Sequence, residues 1–161
     1  MNAAPDPRLI LREDELDAGL ELLFLAEAAL WSAVDAGLAA EDQGLGRSHW
    51  RALFLLRRRP GLGVQELAGL TSLSKQAASR ILVDLAAKGL IEKTAADVDG
   101  RRRSAALTAR GQAFEAAITE RLRSQIGRAY RAAGLEGVAG SRRILAALAG
   151  ARTRSASGGL T

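Results

Sequence analysis

Apolar positions lay out the architecture of this chain. From Arg12 to about Ala39, Leu16, Leu20, Leu23, Leu30, Val34 and Leu38 recur at spacings of three, four and seven, one stripe of a long helix. A second row, Leu22, Leu25 and Ala29, widens the stripe beyond what one neighbour covers. The pattern predicts packing both within the domain and on a second chain. Gly44-Leu45-Gly46 breaks the helix. Ser48 is then expected to cap a second one carrying Trp50, Leu53, Phe54 and Leu56, which stops at Arg57-Arg58-Arg59-Pro60-Gly61.

The stretch from Val64 to Gly111 carries the most specific pattern. Val64, Leu67 and Leu70 line one side of a short helix, and Thr71-Ser72-Leu73-Ser74 makes a tight polar break. Ser74 is expected to cap a helix over Lys75 to Lys88, with Ala78, Ile81, Leu82 and Leu85 on its apolar face. Gln76, Arg80, Val83 and Ala87 fall opposite, with Ser79 on the flank. Gly89 ends this helix. Leu90 to Thr94 and Arg103 to Leu107 are short strand candidates joined through the turn signal Val98-Asp99-Gly100. Helix, turn, helix and a hairpin with a basic tip outline a winged helix-turn-helix, a DNA-reading module.

Thr108 is placed as the cap of a long helix from Ala109 to about Ala132, striped by Phe114, Ala117, Ile118, Leu122, Ile126 and Tyr130. Gly134 to Gly140 reads as a loose connection, and Arg142 to Ala149 as a last helix with Ile144, Leu145 and Leu148 as its apolar side. The tail after Gly150 is rich in Arg, Ser and Gly and is expected to be disordered. The chain is therefore divided into a flexible arm (1–11), one domain (12–150) and a tail (151–161). Within the domain, 12–45 and 109–149 form dimerisation helices around a winged helix at 47–108.

Composition sharpens this picture. Of 161 residues, 48% are apolar but only 4% aromatic, so the core is built mainly of Ala and Leu. Pro5, Pro7 and Pro60 are the only prolines, which leaves long stretches free to be helical. There is no cysteine, which excludes disulfides, thiolate metal sites and thiol redox switching. No signal-peptide pattern opens the chain, and no uncharged apolar run approaches the roughly 20 residues of a membrane span. A cytoplasmic protein without a membrane partner is expected.

The net charge of +5 matters only through where the arginines sit. Arg57-Arg58-Arg59 reads first as a solvated helix end favoured by the helix dipole, and second as a phosphate contact. For Arg101-Arg102-Arg103 at the hairpin tip the order reverses, because three adjacent arginines repel one another unless an anion is present. The polar face of the 75–88 helix suits base-edge contact, and by itself it equally suits plain solvated surface. A single His and no cluster of carboxylates with a base leave little from which to build a catalytic or metal site, so neither enzyme nor cofactor is expected.

Two sequence blocks carry a family resemblance over roughly residues 14 to 149. Asp99-Gly100-Arg101 followed by Leu107-Thr108 and Gly111 resembles the wing signature of MarR-type bacterial transcription regulators. Leu67-Ala68 through Leu73-Ser74 to Leu85-Ala86-Ala87-Lys88-Gly89-Leu90-Ile91 is similar to their helix-turn-helix and its exit. One departure is the pair Ala77-Ala78, where a β-branched residue is common. The resemblance implies a mainly α fold with a small β-hairpin wing, and a homodimer that places two reading helices in successive major grooves of a pseudo-palindromic site.

By the same resemblance Ser74, Lys75, Gln76, Ser79 and Arg80 contact double-stranded DNA from the recognition helix. Asp99, Arg101, Arg102 and Arg103 do so from the wing, with Asp99 orienting Arg101. Many such regulators respond to small phenolic or lipophilic effectors. Trp31, His49, Trp50 and Phe54 are the candidates to line such a pocket here, although each also reads as an ordinary core residue. The expectation is a DNA-binding repressor; the alternative is a winged helix that docks on protein without reading DNA.

Overall fold

The structure, a computed structural model, describes residues 10–93 and 105–157, with side chains described over 10–92 and 105–150. Helices α1 (Glu13–Glu41), α2 (Arg47–Arg58), α3 (Val64–Thr71) and α4 (Lys75–Ala87) precede strands β1 (Ile91–Lys93) and β2 (Ala105–Leu107), and α5 (Ala109–Ser157) follows. The strands pair antiparallel, with Ile91 opposite Leu107 and Lys93 opposite Ala105. This is the mainly helical fold with a small hairpin that the pattern predicts. Thr94 and Arg103, the outer ends of the expected strands, lie outside the described residues.

Helix boundaries follow local chemistry. Glu13, Asp14 and Glu15 open α1, where acids favour the positive end of the helix dipole, and Glu15 Oε2 accepts the Arg12 N–H at 3.0 Å. The helix closes on Asp42, which takes the left-handed φ of 44° and donates its N–H to Leu38. Ser48 does not cap α2 as expected. Gly46 holds the N-cap position, and its backbone N–H is met by the ring of His49 at 3.1 Å, which leaves Ser48 inside the first turn. Ser72, at φ 59°, makes the sharp exit from α3.

The expected loop at 134–140 is also corrected. Helical geometry runs from Ala109 through Ser157, interrupted at Gly134 alone, with φ 69° and ψ −179°. Only Gly takes that conformation without cost, so the break is confined to one residue. Helical backbone beyond Gly150 likewise replaces the disorder expected for that part of the tail. The Ala-rich run Ala146-Ala147-Leu148-Ala149 outweighs the Gly and Ser around it in helix propensity.

The core lies between α2 and its neighbours. Val34, Leu53, Leu67, Leu85, Leu90 and Ile118 are among its fully buried side chains, drawn from α1, α2, α3, α4, the wing root and α5. α1 crosses α5 where a Cβ on Gly37 would stand 3.0 Å from Ile118, so a larger residue there would push the two helices apart.

Beyond this core both long helices project. Every residue from 10 to 29 is exposed, including Leu16, Leu20, Leu22, Phe24 and Leu25, as are Ile144, Leu145 and Leu148 on α5. By length and apolar composition alone α1 is sufficient to cross a membrane. Its second half, however, packs within the chain through Val34 and Gly37, and Asp35 there pairs with Arg47 at the start of α2. The hydrogen bond from Arg47, outweighing desolvation, holds the Asp35 carboxyl below its ordinary pKa.

Candidate nucleic-acid interface

α4 is set by its cap and by its buried face. Ser74 Oγ accepts the Ala77 N–H at 3.1 Å, satisfying one of the donors a helix start leaves free. Ala78, Ile81 and Leu85 turn inward and are buried. The 3.6-residue period then leaves Lys75, Gln76, Ser79, Arg80, Val83, Ala86 and Ala87 exposed. The structure thus brings Ser74, Lys75, Gln76, Ser79 and Arg80 together on the outer N-terminal half of one helix. That half is polar and basic; the half beyond it is apolar and small.

The only acid of α4 is turned aside. Asp84 Oδ2 lies 3.4 Å from His49 Nε2 on α2. Because His49 Nδ1 accepts the Gly46 N–H, a neutral ring carries its proton on Nε2, aimed at Asp84. His49 therefore caps α2 and braces α4 at once. The exposed face of α4 keeps a positive balance, as an approach to phosphate requires.

The far end of α4 is locked to the start of α5. Gly89 takes φ 67°, freeing the carbonyls that follow the helix. Lys88 O accepts from Arg110 Nη1 at 3.1 Å, and Gly89 O accepts from the Thr108 hydroxyl at 2.7 Å. Leu90 O accepts the Thr108 N–H at 3.1 Å, while Thr108 Oγ1 accepts the Gly111 N–H at 3.1 Å and so caps α5. The other terminal nitrogen of Arg110 donates to Gln43 between α1 and α2 at 2.9 Å. These bonds tie the wing root, the end of α4 and the α1–α2 connection to the first turn of α5. The sequence singled out Thr108 and Gly111 but not Arg110 or Gln43, which carry no pattern beyond their polarity.

The wing residues Asp99, Arg101, Arg102 and Arg103 lie outside the described residues.

A cleft of about 470 Å³ opens between α2 and α5. Trp50, Phe54, Arg57 and Arg58 line it from α2, and Thr119, Leu122, Arg123, Ile126 and Tyr130 from α5. Of the four pocket candidates, Trp50 and Phe54 line it, and Trp31 and His49 do not. Trp31 packs edge-on to Trp50 with centroids 6.2 Å apart, lies against Arg47 and Arg51, and donates its Nε1–H to Glu27. It holds α1 onto α2.

At the base of this cleft sits a buried polar chain. Trp50 Nε1 donates to Thr119 Oγ1 at 3.2 Å, and the Thr119 hydroxyl donates to Glu115 Oε1 at 2.5 Å. Arg57 Nε stands 2.6 Å from Glu115 Oε2, although its N–H is not aligned for a hydrogen bond. Glu115 is fully buried, so the attraction of Arg57 is what makes its charge tolerable. The first arginine of the 57–59 triplet is therefore not a solvated helix end; Arg58 and Arg59 are exposed. Glu115 was missed because an acid reads as surface, yet its place beside Phe114 and at i−3 and i−7 from Ile118 and Leu122 puts it on the buried stripe.

This architecture defines a winged helix-turn-helix with long flanking helices. Residues 43–102 match the model of the MarR family. The HTH-type transcriptional regulator PetP of Rhodobacter capsulatus is 36% identical over 140 residues, covering 87% of this chain and 83% of PetP. The chain belongs to the MarR family of transcriptional regulators; it is a DNA-binding regulator and not an enzyme.

Solved structures agree. The Mycobacterium tuberculosis MarR family protein RV2887 in complex with salicylic acid is 27% identical, with a TM-score of 0.57, covering 86% of this chain and 97% of that one. A point mutant of S. aureus MepR bound to an oligodeoxyribonucleotide shares the fold at 19% identity and a TM-score of 0.55, covering 81% of this chain and 95% of that one.

Proposed function

We propose that the chain acts in the cytoplasm as a homodimeric repressor. In this reading two copies of α4 enter successive major grooves of a pseudo-palindromic promoter site, and the wing arginines follow the flanking minor groove. The observation that carries it is the outer face of α4, where Lys75, Gln76, Ser79 and Arg80 are exposed together and the one acid, Asp84, is held toward His49. The projecting apolar lengths of α1 and α5 supply the surface for dimerisation. Isolated helices with exposed Leu on several sides are marginal in water and gain stability by covering one another.

The cleft between α2 and α5 is the place for an effector. Aromatic walls (Trp50, Phe54, Tyr130) with Arg58 and Arg123 at the rim suit an aromatic or lipophilic acid, and RV2887 was solved with such an acid, salicylic acid. Because the cleft joins a helix of the DNA-binding part to α5, a ligand wedged there would shift the spacing of the two reading helices. Sequencing the genomic fragments that the full chain retains tests the proposal. A shared inverted repeat upstream of genes is expected, with release by a millimolar aromatic acid that Arg123→Ala blunts. Retention without a common motif would overturn it.

A further inference from the structure

Resting on the DNA-reading role of α4, we infer that Val83 selects a thymine by packing on its 5-methyl group. Val83 is 63% exposed, the one large apolar side chain on the outer face of this helix. Nothing on its own helix covers it: Ala86 and Ala87 are small and themselves exposed, and Ser79 and Arg80 are polar. A β-branched side chain in a helix is nearly fixed at χ1, so Val83 presents its two methyls in a preset direction.

The position also suits the groove. Gln76, Arg80, Val83 and Ala87 lie along one line of the helix. Seven residues separate Gln76 from Val83, a rise of about 10.5 Å. That is about three base-pair steps. A helix lying along the groove therefore sets Val83 against a different base pair from the one facing Gln76. The small Ala86 and Ala87 let the helix come close there. Among the base edges in the major groove the thymine methyl is the apolar group that projects furthest, and it is the favourable partner for a valine that has no polar atom to offer.

The test uses the duplex that the full chain itself selects from a random pool. Each thymine is replaced in turn by deoxyuridine, which removes the methyl and leaves base pairing unchanged. Affinities are measured for the native chain and for Val83→Ala, whose exposed site leaves the core untouched; an unchanged melting temperature confirms the fold.

Loss of one packed methyl is expected to weaken native binding about fourfold per half-site at one symmetry-related thymine. Val83→Ala should bind the thymine duplex correspondingly less well and be indifferent to uracil at that position. Native binding insensitive to uracil everywhere, or a uracil penalty that persists undiminished in Val83→Ala, overturns the inference. Failure to select any duplex would instead overturn the DNA-reading role on which it rests.

Discussion

A Cβ on Gly111 would stand 1.9 Å from the carbonyl oxygen of Leu90. The first turn of α5 thus presses backbone against backbone on the root of the wing, just beyond the end of α4. The contact explains why Gly follows Thr108 at this distance. Thr108 ties its own backbone and hydroxyl to Leu90 and Gly89, and so draws α5 in until no side chain fits at 111.

Gly111→Ala should therefore be among the most damaging small substitutions in the chain. The clash is with backbone, which cannot swing aside as a side chain can, so a loss of about 3 kcal/mol or more is expected. Urea unfolding measures it; a midpoint within experimental error of the native chain would show that the two segments are not held this closely.

Thr108→Val removes a hydroxyl that serves two backbone partners, the Gly89 carbonyl and the Gly111 N–H. A cost of about 1–2 kcal/mol follows from the lost cap and hydrogen bond. Thr108→Ser keeps the hydroxyl and should recover most of it. If Ser and Val variants unfold at the same urea concentration, the hydroxyl is not the active part of the residue.

Arg57 and Glu115 give a sharper contrast. Arg57→Leu leaves the buried carboxylate without its counter-charge and should cost about 3–5 kcal/mol, whereas Arg57→Leu combined with Glu115→Leu removes both charges and should regain much of the loss. The prediction fails if the double variant is no more stable than Arg57→Leu alone. Since Arg57 also lines the cleft, ligand response should fall in the single variant even where the fold survives.

How much of this was legible in the sequence depends on whether a contact is local. Ser74, Thr108 and Gly89 were readable because a cap or a helix stop is decided by a few neighbouring residues, and the structure holds each in that role. The fold class and the hairpin root followed from apolar spacing. Ser48 was misplaced by two residues because the ring of His49, reaching back to Gly46, caps α2 where a hydroxyl was expected. The 134–140 loop was misread because several glycines suggested a break that one residue, Gly134, absorbs. Arg110 with Gln43, Arg57 with Glu115 and His49 with Asp84 join residues far apart in the chain, and no local pattern announces such pairs. The cleft was half legible for the same reason: Trp50 and Phe54 share a helix face, while the residues opposite come from α5.

The projecting face of α1 makes a separate demand. The full chain should sediment at twice its mass of 16.9 kDa. Leu20→Glu with Leu23→Glu places charge on the exposed stripe, away from the core, and should yield a folded monomer whose DNA affinity falls by more than tenfold. A native chain that sediments as a monomer at micromolar concentration would show that this face does not hold two copies together.

Whether the outer face of α4 reads DNA is decided by one titration. Fluorescence anisotropy with the selected duplex and with a scrambled duplex of equal length, at matched salt, compares the native chain with Arg80→Ala. Loss of a base-reading arginine should cost about 1–3 kcal/mol on the selected duplex and far less on the scrambled one, so that specificity collapses. Equal losses on both duplexes, or none on either, would show that Arg80 on this face reads no base sequence.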